Sequence, residues 1–420
     1  MKLALFGGPK IRGKPFPKHP IVGDEEKNAV MGVLESGNLS TFLAQSGENF
    51  LGGKKIREFE NNFADYVGTK YAISFNSATS ALHAAVVATG VNPGQEVIVP
   101  PYTFTSTATS VLMHNAIPVF ADVQDDIFCI DPASIEKNVS PLSKAIIPVH
   151  LFGHPAEMDE IMKIAQKHSL VVIEDCAQAP GAKYKGRNVG AIGNCGIFSF
   201  QESKNIATGE GGMLVTDDDK IAEIARMVRN HGEAILDTQK QRTYKTEFLG
   251  WGYRMTELEA ALGVEQLKKL DKFNQIRREL ADFLTKNINS IEGLKHIKRP
   301  YAEHAYYVYA FTFDEAKIGI SRDQFVRALN AEGIPFGQGY VKPLYLNPIY
   351  HDGKPFPFRF YKGNAKYEKG ICPVSERLYE KELVLNAVMR APATQEDAND
   401  VILAINKIIE NKHEFGQMSN

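Results

Sequence analysis

Lys204 falls inside "GIFSFQESKNIATGEGG", residues 196–212, between an apolar strand-like run and a glycine turn. Lysine is ordinarily a surface residue. Held out of water, its amine loses part of its preference for the ammonium form and can attack a carbonyl. Asp175 ends a second apolar run, "LVVIED". A carboxylate there can keep a facing ring nitrogen protonated, which makes a pyridinium ring an electron sink. The segment "FNSATSALHAA" places Ser77, Thr79 and Ser80 before or within the first turn of a helix-like run, where anions bind well. Phe104, in "PYTFTS", offers an aromatic face for stacking. Amine, carboxylate, hydroxyl-lined helix start and aromatic face are the four things a pyridoxal phosphate (PLP) site requires. Each alone has a plainer role: an exposed lysine, a helix-capping acid or serine, a core phenylalanine. Their joint order along the chain carries the reading.

The elements needed to position them are legible between about residues 56 and 220. "REFENNFADYVG", "TSALHAAVVATG" and "MDEIMKIAQKHS" read as helices. "YAISFNS", "EVIVPPYTF", "IPVFADV", "KAIIPVHLFG", "LVVIEDCAQ", "CGIFSF" and "GGMLVTDD" read as short apolar strands. Helices alternating with wholly apolar strands predict an α/β fold with a mostly parallel sheet covered on both faces. Polar residues collect just after the strands, at Asn76–Thr79, Tyr102–Thr105, His150, Asp175–Gln178 and Lys204. Ligands in open α/β sheets bind outside the carboxyl ends of strands, so one cleft is nominated. "RMTELEAALGVEQLKKLDKFNQIRREL" reads as a long helical stretch leaving that sheet. "AYYVYAFTF", "SRDQFVRALNAEGIP" and "ATQEDANDVILAINKIIENK" then predict a smaller α+β unit, with Thr394 and Asp397 as an N-cap pair. We place a large domain with an N-terminal arm at 1–270 and a small domain at 271–420. The aromatic stretch 340–367 is expected to be a packed lid or a ligand wall, with Lys342, Lys354, Arg359 and Lys362 on a solvated face.

Composition narrows the class. The 420 residues are 44% hydrophobic and 23% charged, with a net charge of −2, which gives no electrostatic case for nucleic acid or an anionic membrane. The four cysteines form no CxxC pair, so neither a disulfide framework nor a zinc site is expected. "MKLALFGGPK" has too short an apolar run for a signal peptide, and no stretch approaches membrane-spanning length. A cytoplasmic enzyme or binding protein is the expectation.

The segments "FNSATSALHAA", "VPPYTFTSTA", "VIEDCAQAPGAKYKG", "FSFQESKNIATGEGGMLVT", "VRNHG" and "GWGYRMTELEAALG" together resemble the DegT/DnrJ/EryC1/StrS family of PLP-dependent sugar aminotransferases over nearly the whole chain. The resemblance implies a fold type I aminotransferase, a homodimer whose active sites are shared between subunits, and pyridoxal 5'-phosphate as cofactor. It implies that Lys204 is the Schiff-base lysine and Asp175 the partner of the pyridine nitrogen. Gln178 would lie near the ring hydroxyl and Phe104 over the ring, with Thr79, Ser80 and Ser199 on the phosphate. Relatives that deoxygenate sugars carry histidine at the lysine position; Lys204 favours transamination. One departure stands out: where members often carry an asparagine that reaches the phosphate from the partner subunit, this chain has Gly252, and Arg254 or a backbone group is expected to take that contact. The implied activity is ping-pong transfer of an amino group from L-glutamate or L-glutamine to a keto-sugar or keto-cyclitol, in amino-sugar or aminocyclitol biosynthesis. "FGGPKIRGKPFPKHP" and "CPVSERLYEKELV" resemble the glutamine:scyllo-inosose branch, whereas "GYRMTELEAA" is common in the branch acting on nucleotide-linked ketosugars for surface polysaccharide. A non-catalytic PLP-binding regulator is the remoter alternative; it would bear a DNA-binding extension.

Overall fold

A computed structural model describes residues 2–43, 48–233, 245–351 and 356–418. Seven short strands build the main sheet: β1 (Tyr71–Phe75), β2 (Glu96–Val99), β3 (Ile117–Phe120), β4 (Ser143–Ile146), β5 (Val171–Asp175), β6 (Cys195–Ser199) and β7 (Gly212–Thr216). Their order is β1-β7-β6-β5-β4-β2-β3, and only β7 runs against its neighbours. Nearly every strand residue is buried, because helices cover both faces and leave no polar face to alternate with. The α/β architecture with a mostly parallel sheet is therefore as the sequence predicts.

The antiparallel strand matters for the site. β7 begins at the edge where the parallel strands end, so the loop between β6 and β7, which carries Lys204, crosses that edge as a hairpin-like return. Gly212 pairs with Phe75 and lies against the start of the helix Ala78–Ala88; a Cβ there would stand 2.5 Å from the Ser77 and Ala78 backbone. The glycine run in "GEGG" thus lets the lysine loop and the helix N-terminus approach closely.

A second sheet of β8 (Leu294–Lys295), β9 (Tyr309–Phe313), β10 (Gly337–Gln338) and β11 (Leu383–Asn386) is antiparallel, in the order β8-β9-β11-β10. It packs with the helices Arg322–Ala331 and Gln395–Glu410 around an apolar core containing Phe311, Phe325, Leu329, Val401, Ile405 and Ile408. Thr394 and Asp397 form the expected capping box. The long helical stretch resolves into two helices, Glu257–Leu267 and Leu270–Ile288, so residue 270 opens the second of them. The N-terminal arm departs from its sequence assignment to the first domain. Leu3 is buried in the second core, Glu332 accepts the backbone N–H groups of Ala4 and Ile11, and Arg12 pairs with Asp397 and Asp400. Arg12 and Glu332 hold it by charge across more than 300 residues of sequence, which no local pattern reveals.

The aromatic stretch is mostly a packed cover, but its first residue, Tyr340, stands in the wall of the site. Tyr345, Tyr350 and Tyr367 surround Phe120 of β3, and Lys342, Arg359 and Lys362 are exposed, as expected; Lys354 lies outside the described residues.

Three buried histidines bridge the sheets. His154 donates from Nδ1 to the Pro155 carbonyl and accepts the Arg299 N–H on Nε2; His296 donates from Nδ1 to the Ala310 carbonyl; His304 accepts the Tyr306 N–H and stacks on that ring at 3.8 Å. Burial lowers His154 from 6.5 to about 3, His296 to about 4, and His304 well below its ordinary value. The unfolded chain therefore binds protons that the fold refuses, and this stabilisation, full above pH 6.5, is lost as pH falls. We expect stability to drop by about 1.4 kcal/mol per pH unit for each histidine between roughly pH 6 and 4. Urea midpoints at pH 7 and pH 5 measure this, and equal midpoints would contradict it.

Candidate active site

The carboxyl edge of the main sheet opens into a cavity of about 440 Å³. Its wall includes Ser77 and Thr79 after β1, Thr103, Phe104 and Thr107 after β2, Asp175 and Gln178 after β5, and Ser199 and Lys204 at and after β6. Tyr307 and Tyr340 close it from the second sheet's side.

Asp175 is buried at the end of β5. Thr107 donates its hydroxyl to one carboxylate oxygen at 2.8 Å, and the Ala177 N–H reaches the other at 3.1 Å. Burial pushes the carboxyl up from its ordinary value, against the opposing pull of the Ala177 N–H, the Thr107 hydroxyl and the Lys204 charge. The protein thus holds an acid where a negative charge is under-compensated, and a cationic ring nitrogen would complete it. Lys204 is half-buried, with Nζ 4.3 Å from the centroid of the Tyr307 ring. Its backbone is pinned on both sides: its N–H donates to Gln201, and its carbonyl accepts from His19.

Phe104 is 60% exposed and faces this cavity. An apolar ring left open there offers a face on which another ring could stack. Ser77 caps the helix Ala78–Ala88 by accepting the Ser80 N–H at 3.1 Å, and Thr79 bonds Ser106 at 2.7 Å. With Ser199 these hydroxyls form a polar rim at a helix N-terminus, which fits a phosphate. Gln178 lines the cavity with both amide ends engaged, accepting from the Phe152 N–H and donating to the Tyr340 hydroxyl, each at 2.8 Å.

Two expected residues are not brought into this wall. Ser80 is buried behind the wall, its hydroxyl on Asn76 at 2.6 Å and 2.8 Å from the Ser77 hydroxyl. Arg254 is half-buried beside Asn230, at 3.5 Å, outside the wall. Sequence reading missed Thr107, Tyr307 and Tyr340. Thr107 lies in "TFTSTA" next to the aromatic and could have been found there; Tyr340 opens the aromatic stretch already nominated, and Tyr307 comes from a distant segment that carries no local signal.

His150, Glu174 and Cys176 place donor atoms within 4.8 Å of one another, yet they are a structural knot. His150 accepts the Ala156 N–H on Nδ1 and so donates from Nε2 to Glu174, which also accepts N–H groups from Gly190, Ile192 and Gly193. Cys176 and Cys195 are wholly buried, and burial raises both thiols. That fits packing rather than nucleophilic roles.

An edge-of-sheet lysine, a buried acid and an N-terminal hydroxyl rim, on a sheet of this topology, define a PLP-dependent aminotransferase of the α/β class. The chain belongs to the DegT/DnrJ/EryC1/StrS aminotransferase family, whose sequence profile matches residues 34–406. It is 38% identical over 302 residues to GDP-perosamine synthase of Caulobacter vibrioides, covering 71% of this chain and 79% of that one. It is 33% identical over 422 residues to L-glutamine:2-deoxy-scyllo-inosose aminotransferase of Streptomyces kanamyceticus, covering 98% and 97%. The X-ray structure of an aminotransferase from Psychrobacter cryohalolentis superposes with a TM-score of 0.85 at 32% identity, covering 95% and 100%.

Thr107→Val keeps the packing volume but removes a donor from a buried carboxylate. We expect cofactor affinity to fall about tenfold, in line with roughly 1.5 kcal/mol for a hydrogen bond to a charged group. Absorbance titration of the apoprotein with PLP measures it.

Proposed function

We propose that this protein transfers an amino group from L-glutamate or L-glutamine to a keto-sugar or keto-cyclitol by ping-pong transamination. One observation carries the reading: Lys204 and Asp175, 29 positions apart in sequence, line the same cavity with an open aromatic face and a hydroxyl-rimmed helix start. The site fits pyridoxal phosphate, with Lys204 for its aldehyde, Asp175 for its ring nitrogen, Phe104 for its ring face, and Ser77, Thr79 and Ser199 for its phosphate. When bound, the cofactor supplies an electron sink for the carbon that loses and gains a proton.

This chain's residues do the rest. Asp175, oriented by Thr107 and the Ala177 N–H, keeps the facing nitrogen protonated. With the cofactor bound and the donor amine in its place on it, Lys204 Nζ would take the proton from the donor's α-carbon and deliver it two bonds away, across the transferred nitrogen, as general base and then acid. Tyr307, under that amine, and Tyr340, held by Gln178, narrow the opening and limit water. The second half-reaction runs these movements backward on the ketone.

Alignment over 98% of this chain with a cyclitol aminotransferase supports a cyclitol ketone. The higher identity to GDP-perosamine synthase, over 71% of the chain, supports the nucleotide-linked ketosugar as the second reading. We read the protein as a homodimer that shares its sites. Arg254 stands outside its own cavity, and Met31, Leu34, Leu39, Leu43 and Leu249 are exposed apolar side chains. No helix among the described residues is long and apolar enough to cross a membrane.

Lys204→Ala should lose the near-ultraviolet and visible absorbance of the loaded protein, together with at least about 10³-fold in turnover, as expected for removal of a general base. Retained turnover would overturn the assignment. Mixing wild-type protein with glutamate or glutamine should bleach that absorbance, and the true ketone should restore it. Comparing scyllo-inosose with a GDP-linked 4-ketosugar decides between the two acceptor readings.

A further inference from the structure

The N-terminal arm ends against the lysine loop. Upstream it is fixed to the second sheet's side, where Arg12 pairs with Asp397 and Asp400 and Lys407 donates to the Pro9 carbonyl at 2.6 Å. Downstream the Ile21 carbonyl accepts from Gln266 Nε2 at 2.9 Å, and the Gly23 N–H donates to Glu26 at 2.7 Å. Between these anchors Gly13, Lys14, Pro15, Pro17 and Lys18 are exposed, yet His19 is half-buried. Its Nε2 stands 2.9 Å from the Lys204 carbonyl. A carbonyl oxygen only accepts, so this nitrogen carries the ring's proton. Burial and then the Arg390 charge bring His19 from 6.5 to about 4, which leaves a neutral ring with one N–H, aimed at that oxygen.

The lysine loop is held largely from outside. The Lys204 N–H closes a turn on the Gln201 carbonyl at 2.8 Å, and the Gln201 side chain accepts the Ser203 N–H and hydroxyl. The next two carbonyls are met by side chains from far away in sequence: Ser203 by Arg390 at 3.2 Å, and Lys204 by His19. The His19 contact bears on the amine because the Lys204–Asn205 peptide plane is one of the two that orient the Lys204 Cα–Cβ bond. A turn of that plane is carried along the lysine stem to Nζ. A reacting group about 1 Å out of place can cost on the order of 10²-fold in rate.

We propose that His19 is a positioning residue for Lys204: its N–H holds the Lys204 carbonyl and thereby aims the amine into the cavity. This rests on the aminotransferase reading. It makes the N-terminal arm part of the active site's scaffold, although His19 itself lies outside the cavity wall. Proton transfer, rather than donor or ketone binding, is the step that depends on it.

His19→Phe keeps a ring but removes the N–H, and His19→Gln returns an N–H donor. Loaded with PLP, His19→Phe should bleach with glutamate or glutamine at least about tenfold more slowly at saturating donor. The donor's KM should be unchanged, and His19→Gln should recover part of the loss. A second readout is independent of turnover: pyridoxal, which has no phosphate, reports on the lysine without the hydroxyl rim. Absorbance titration of the apoprotein with pyridoxal should show several-fold weaker binding in His19→Phe, and binding closer to wild type in His19→Gln. An unchanged bleaching rate in His19→Phe overturns the proposal. So does His19→Gln behaving no better than His19→Phe, or a loss confined to thermal stability, since the arm would then serve folding alone. Pyridoxal affinity that depends on the N–H, in a protein that no amino acid bleaches, supports the positioning role and removes the transaminase reading instead.

Discussion

Asp175 lies where burial works against its charge, and the groups around it only partly offset that. One hydroxyl and one backbone N–H hold the carboxylate, and the Lys204 charge offsets only part of its burial. Such an arrangement is poor as a structural device, since a hydrophobic side chain would pack there at less cost. It becomes sensible when a positively charged ring completes the pocket. The other groups in the cavity are of the kinds such a ligand would use: an open aromatic face, a hydroxyl-lined helix start and an amine.

The sheet supplies these at one edge. Six strands end there and a seventh begins, so residues from segments more than 100 positions apart converge on about 440 Å³. The second sheet adds what the first lacks. Tyr307 and Tyr340 close the opening, and the helix Leu270–Ile288 brings Arg277 up behind the lysine loop. The N-terminal arm locks onto that same side through Arg12 and Glu332 and delivers His19 to the Lys204 carbonyl. Charge, rather than apolar burial alone, ties these remote segments together.

The main sheet, the terminal helix and most of the residues that line the cavity's polar rim were legible because their signals are local. Wholly apolar runs of four or five residues mark two-sided strands, and Lys204, Asp175, Thr79 and Ser199 lie at or just beyond strand ends or helix starts. Ser80 lies behind the wall with its hydroxyl on Asn76, a contact that a motif match does not show. Phe104 alone reads as core, and only the fold shows it open. Tyr340 opens the aromatic stretch that the sequence nominated, whereas Tyr307 was invisible, since nothing near it in sequence marks where tertiary packing will put it. The arm was misassigned for the same reason: its partners, Glu332 and Asp397, are at the other end of the chain.

Glu174 and Asp175 are consecutive acids on β5 with opposite duties, one buried among backbone N–H groups and His150, the other facing the cavity. Side chains on a strand alternate faces, so sliding β5 by a single position would exchange the two. The knot around Glu174, with its three N–H donors from residues 190–193, is therefore also a register pin. It fixes which acid meets the ligand before any ligand arrives. An insertion or deletion within this strand would be far more damaging than most substitutions in it.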